Sequence, residues 1–313
     1  MVADHEVSTA GAGAQATGAG SAAVTTTRWT SRWRGLRTFA PLLPFFLYVF
    51  AGLGIPTLVI INLAFRSNDN HLTLQNVKTV VDGGQYLLGF ETSLKLAFVT
   101  SVIPAVLGTI LAYFIATSSW PALRRFAATS SAVFANFGGV NLAFIFVATI
   151  GTTGLLTTWL SHLGLNPWEH GFDLYKFWGV AIVYMYFQIP LMVLIITPAI
   201  EGLKRSWREA AANLGAANWQ YWRYVGLPVL MPAVLGSTLL LFGSGLSAYA
   251  TAEALTGGTI ELTSIQIGDV LNGNVLANEA NIGYALGFSM IVLMLAIMTG
   301  YVFLQRRASK WLR

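Results

Sequence analysis

Apolar residues in this chain do not alternate with polar ones. They run on in long stretches, and six of these recur: Leu42–Phe65, Leu96–Ser118, Phe126–Ile150, Phe177–Ile200, Val229–Ala252 and Ile282–Leu304. A helix rises about 1.5 Å per residue, so about 20 apolar residues cross a hydrocarbon core about 30 Å thick. Each run meets that length, and none contains a Lys, Arg, Asp or Glu. Pro56, Pro104, Pro190, Gly138 and Gly139 fall inside runs, which membrane helices tolerate where neighbours satisfy the freed backbone groups. All 10 Trp lie outside the runs or at their ends, where an interfacial aromatic belt belongs. The pattern predicts an all-α membrane protein of six transmembrane helices.

Composition agrees with the pattern. Hydrophobic residues make up 55% and charged ones 10%, against about 25% charged in soluble domains, and mean hydropathy is +0.62. There are no cysteines, which excludes a disulfide framework, thiolate metal sites and a cysteine nucleophile. A net charge of +5 and a pI of about 9.5 would suit a nucleic-acid partner. The basic residues are instead sorted by loop. On one side lie Arg28, Arg32, Arg34, Arg37, Arg124, Arg125, Lys204, Arg205, Arg208, Arg223, Arg306, Arg307, Lys310 and Arg313, which is 14 of the 18. The other side holds Arg66, Lys78, Lys95 and Lys176. The positive-inside rule then predicts both termini in the cytoplasm. The external loops become roughly Arg66–Lys95, Gly151–Lys176 and Thr256–Asn281.

The chain opens with Met1–Thr27, rich in Ala, Gly, Ser and Thr and without a Lys or Arg. It lacks the basic start and apolar run of a signal peptide and too little of it is apolar to fold, so it is predicted to be disordered. The Arg and Trp residues that follow read as an amphipathic lead-in to the membrane rather than a nucleic-acid patch. Residues 1–40 thus form a disordered and then basic cytoplasmic segment, and 41–313 the membrane domain. His162, Glu169, His170 and Asp173 share the second external loop without tight metal-ligand spacing, so a solvated loop is the reading taken. No Walker A sequence, Ser/His/Asp set or HExxH pair appears. A six-span ion channel would want a filter or ionisable residues inside a span, and a membrane-embedded enzyme would want intramembrane His, Asp or Ser partners. The four His are at positions 5, 71, 162 and 170, all outside the runs.

The long loop 201–228 separates the fourth and fifth runs. Ser206 is positioned to cap a helix with Glu209 at its third position, followed by the helix formers Ala210 to Ala212. Gly215 is placed to end it in a left-handed cap. A Trp- and Tyr-rich piece then follows until Pro228 resets the chain for the next span. Taken alone, this describes a short helix parallel to the membrane, or a mere connector.

The spacing favours more. Glu209-Ala210-Ala211, then Gly215, then Val225 and Leu227-Pro228 fit EAA-x3-G-x9-I-x-LP, with Val225 for the usual Ile. From about residue 40 onward the sequence resembles the integral-membrane permease of binding-protein-dependent ABC importers. The resemblance implies a type I importer permease fold in a bacterial inner membrane. It implies a second permease, identical or similar, paired around a central pathway, and an external solute-binding protein that delivers substrate. The helix near Arg208–Gly215 would be the coupling helix, seated on a separate ATPase subunit that binds ATP and magnesium; this chain would hold no cofactor. Arg208, Glu209, Ala210, Ala211, Gly215, Leu227 and Pro228 are the coupling residues so implied. Glu209 would face basic or polar groups of the ATPase, and Gly215 would permit the turn that lets the helix dock.

The stretch Gly245–Gly258 looks like its counterpart in permeases of the polyamine branch, and Asn136–Asn141 has a similar character. Ferric-iron, thiamine and sugar permeases remain alternatives. Glu253 could pair with an ammonium and Tyr249 could offer it a ring face, or Glu253 could simply reach interfacial water. Asn136 and Asn141 could line the pathway or join neighbouring helices. The Gly and Ser positions Gly138, Gly139, Gly243, Ser244, Gly245 and Ser247 read as close-packing surfaces.

Overall fold

A computed structural model describes residues 40–67, 69–273 and 280–309. The tail expected to be disordered and the basic segment up to Arg37 lie outside the described residues, as do Lys310 and Arg313. The described residues divide into two units, with the boundary between Ile55 and Pro56. In the first, a 3-10 turn at Ala40–Leu42 leads into α1 (Leu43–Val49) and a wider π turn at Phe50–Gly54, where the Ile55 N–H reaches the Phe50 carbonyl. Phe45, Leu47 and Tyr48 are exposed, as a lipid-facing helix requires.

The chain continues through α2 (Ile55–Ala64), α3 (Gln75–Asp82), α4 (Gly84–Thr117), α5 (Pro121–Ala135), α6 (Val140–Ile150), α7 (Leu155–His162) and α8 (Phe177–Glu201). Next come α9 (Arg205–Asn213), α10 (Asn218–Tyr221), α11 (Leu227–Ser247), α12 (Ala250–Thr256), α13 (Thr263–Leu271) and α14 (Ala280–Ser309). Among the described residues, six stretches are long and apolar enough to cross a membrane: Leu43–Ala64, Gly84–Thr117, Val140–His162, Phe177–Glu201, Asn218–Ser247 and Asn281–Phe303.

The core is α4 against α8 and α11, and the sequence of α4 explains it. Gly89, Ser93, Ala97, Ser101 and Ala105 recur every four residues, continue in Gly108 and Ala112, and are all buried. Lipid is as apolar as leucine, so membrane helices associate by close packing rather than by hydrophobic burial, and small residues let the backbones approach. A Cβ at Gly108 would lie 2.6 Å from that of Met192 on α8. Met192, Val193, Ile196, Leu230 and Leu241 fill one end of this core. Tyr184, Phe187, Leu142, Leu174, Leu255 and Ile265 fill the other.

The structure departs from the predicted runs in three places. The second run extends back to Gly84; 34 residues make about 51 Å of helix, so its first turns project beyond the hydrocarbon. There Lys95 pairs with Glu91 at 2.6 Å, both exposed. The third run is not one helix: it breaks at Asn136–Gly139 between α5 and α6, and beyond its predicted end at Ile150 the spanning stretch continues into α7. The fifth run breaks at Ala248–Tyr249. The predicted loop Thr256–Asn281 contains α13, which is docked rather than loose. Its Thr263 N–H donates to Ser93 Oγ at 2.9 Å, and Gln266 Nε2 donates to the Gln85 carbonyl at 2.9 Å.

Candidate functional site

The EAA segment folds as α9, a helix of nine residues with no buried side chain. It begins earlier than the cap at Ser206 expected from sequence. Lys204 is the extended residue before the helix, no side chain caps it, and the Trp207 N–H bonds the Lys204 carbonyl at 3.1 Å. Glu209 therefore does not close a capping box; it pairs with Arg205 Nε at 3.2 Å on the exposed face. The C-terminal expectation holds. Gly215 has φ +77°, its N–H bonds the Ala212 carbonyl at 2.9 Å, and the Ala216 N–H bonds the Ala211 carbonyl at 3.0 Å. That pair of bonds is the Schellman motif, which uses the two carbonyls the helix leaves unpaired.

Arg208 Nη2 donates to Asn218 Oδ1 at 3.1 Å, bracing α9 against α10. The Gln220 side chain accepts the Ala217 N–H at 2.7 Å and caps α10. Pro228 does not interrupt the chain as the sequence suggested. A π turn at Trp222–Gly226 carries α10 directly into α11, whose first turn accommodates the proline. The Trp222 ring lies over Gly226 and meets Tyr113 of α4 edge-on at 4.9 Å. Arg208, Glu209, Ala210, Ala211 and Gly215 are thus on or at the end of one exposed helix, while Leu227 and Pro228 belong to the spanning helix after it. Sequence reasoning missed Leu214, the C-cap residue, which is 87% exposed. An apolar residue closing an otherwise polar helix was the available sign.

A cavity of about 820 Å³ lies between α9 and the ends of α4 and α8, lined by Arg124, Glu201, Lys204 and Arg208 among others. Arg124 on α5 pairs with Glu201 at 3.3 Å.

The residues proposed for a substrate pathway gather at the two broken spans. Gly139 has φ +77° and ψ −154°, a conformation open to glycine and strained for other residues. Its N–H donates to Thr251 Oγ1 at 2.9 Å, and Thr251 is buried on α12. One hydrogen bond therefore joins the Asn136–Asn141 break to the helix that carries Glu253. The opposite break is held by Tyr184, whose hydroxyl donates to the Ala248 carbonyl at 2.5 Å. Asn136 is exposed and its amide bonds the Ala132 carbonyl of its own helix, at 2.9 Å. Asn141 is exposed in the first turn of α6.

Tyr249 and Glu253 are adjacent by backbone, the Glu253 N–H bonding the Tyr249 carbonyl at 2.9 Å. The Tyr249 ring packs over Gly268 of α13, where a Cβ would lie 2.9 Å from it. Glu253 keeps one buried carboxylate oxygen without a hydrogen-bond partner. Gly243 and Gly245 are close-packing positions: Cβ atoms there would lie 2.5 Å from Met294 Cε and 3.0 Å from Thr100 Oγ1. Outside the spans, Glu169 accepts from Asn166 Nδ2 at 2.9 Å and Asp173 pairs with Lys176 at 3.2 Å.

Residues 42–310 match the family described as binding-protein-dependent transport system inner membrane component. The sulfate transport system permease protein CysT of Escherichia coli is 27% identical over 194 residues, 60% of this chain and 66% of that protein. The thiamine transport system permease protein ThiP of the same organism is 30% identical over 127 residues, 39% of this chain and 23% of that one. The chain thus spans just under two thirds of the length of the sulfate relative. Among solved structures, a bacterial ABC transporter that imports the acidic polysaccharide alginate shares the fold. It superposes with a TM-score of 0.70 at 19% identity, covering 89% of this chain and 98% of that one. With the match spanning all six apolar stretches, the chain belongs to the binding-protein-dependent transport system inner membrane component family, the permease of ABC importers, and is a multi-pass inner-membrane protein.

Proposed function

We propose that this chain forms the translocation pathway of an ATP-driven importer and couples to a separate ATPase subunit through α9. The observation that carries this reading is the exposure of α9. Isolated helices shorter than about 12 residues are marginal in water, yet this one of nine residues has no buried face and ends in an exposed Leu214. Such a helix acquires a packed face from a partner. An ATPase subunit is the partner that the EAA spacing supports, placing loop 201–228 and both termini in the cytoplasm. ATP and magnesium then belong to that subunit, and an external binding protein and a second permease complete the assembly. Co-expression with the neighbouring ATPase and affinity capture of this chain tests it: the ATPase should co-purify, and its absence would count against the reading.

For the cargo, the sulfate relatives support a small oxyanion. A cation of the polyamine type has different support: the Gly245–Gly258 likeness and the unpartnered Glu253 oxygen. Thermal-shift measurement of the co-encoded binding protein with sulfate, thiamine and spermidine separates them. Stabilisation by sulfate alone would reduce Glu253 to an interfacial residue.

A further inference from the structure

We infer that Arg124 and Glu201 are a positioning pair for coupling, tying the loop that carries α9 to the first half of the broken third span; this rests on the reading of α9 as the ATPase contact. Glu201 is the last residue of α8, and only Gly202, Leu203 and Lys204 separate it from α9. Those three residues form a tight turn, the Gly202 N–H bonding the Pro198 carbonyl at 3.0 Å and the Leu203 N–H the Ile200 carbonyl at 3.1 Å. Movement of α9 therefore reaches Glu201 at this end, as it reaches α10 and α11 at the other. From there the 3.3 Å ion pair crosses 77 residues of sequence to Arg124, in the first turn of α5. At its other end α5 stops at the Asn136–Gly139 break, which the Gly139–Thr251 hydrogen bond fastens to α12. A continuous mechanical route thus runs from the coupling helix to the segments that bear Asn136, Asn141 and Glu253.

The surroundings set the pair at an open end of the packing between α5 and α8. Arg124 and Glu201 line both the cavity of about 820 Å³ under α9 and a second of about 470 Å³ between α5 and α8. Open space lies on each side of the pair, while further along α5 and α8 pack directly, the Phe134 ring meeting Tyr186 at 5.7 Å. The neighbouring cations are otherwise placed: Arg205 is paired with Glu209, and Lys204 lies over the Trp207 ring at 5.9 Å. Both partners are about half exposed, at 47% and 50%. A pair of that kind is weak and salt-screened, so it breaks and reforms at little cost within a transport cycle.

The test uses the assembled importer in proteoliposomes, reading the ATPase rate with the loaded binding protein against the basal rate. Arg124→Glu and Glu201→Arg should each lower the stimulation about five-fold, the upper range for an exposed pair, while basal hydrolysis and ATPase co-purification persist. The double exchange, Arg124→Glu with Glu201→Arg, should restore it, and Arg125→Gln should leave it unchanged. Single variants with normal stimulation, or a double exchange without recovery, would overturn the inference. If the unaltered chain failed to retain its ATPase, the coupling reading itself would fall, a distinguishable result.

Discussion

Gly215 is the residue whose chemistry is least replaceable, because its φ of +77° closes the Schellman cap of α9. A β-branched side chain there costs about 1–2 kcal/mol. Gly215→Val should accordingly fray the end of α9 and weaken ATPase capture while the amount of chain in the membrane stays near wild type. Full capture and uptake in that variant would move the coupling role elsewhere on the loop. This position was legible in the sequence because the demand is local: a glycine after a run of helix formers has few other uses. The start of the same helix was not. Ser206 and Glu209 fit a capping box by spacing, but Arg205 competes for the same carboxylate and the turn after α8 starts the helix early. Leu214 was overlooked for a related reason, since its exposure follows from where α9 projects and not from its neighbours in sequence.

Among the elements, the six apolar stretches were readable because lipid imposes length and apolarity on every span. The breaks within them were not, although their residues were noticed. Gly138 and Gly139 were read as close-packing surfaces, yet a Cβ at either would meet nothing within 4 Å. What Gly139 supplies is a positive φ and an N–H for a threonine 112 residues away, a long-range fact no local pattern encodes. Thr251→Val keeps the shape and leaves that part-buried N–H unpaired, so it should destabilise the protein by about 1 kcal/mol. Thr256→Val is the control. The Thr256 hydroxyl bonds only the Ala252 carbonyl one turn back, and its loss should cost less. Thermal unfolding in detergent measures both, and equal melting temperatures would remove the Gly139–Thr251 bond from the account.

For the whole molecule, orientation rests on 14 of 18 basic residues falling on one side, a rule of insertion and not a contact within the fold. Because the chain has no native cysteine, Ser206→Cys and Ser161→Cys can be labelled without background. An impermeant thiol reagent on intact cells should reach position 161 and not 206; the reverse would invert the topology and detach α9 from any cytoplasmic ATPase. Cargo was the least legible property, since Glu253, Tyr249, Asn136 and Asn141 lie at two breaks linked by a part-buried hydrogen bond and not within a motif. Seating of α9 on the ATPase can be read out by a single cross-linking measurement. A photo-activatable thiol reagent is placed on Leu214→Cys, at the exposed tip of α9, in membranes containing the co-expressed ATPase. If α9 seats on the ATPase, position 214 gives a covalent adduct with the ATPase subunit and Ser161→Cys gives none. An adduct from 161 with none from 214 would contradict it.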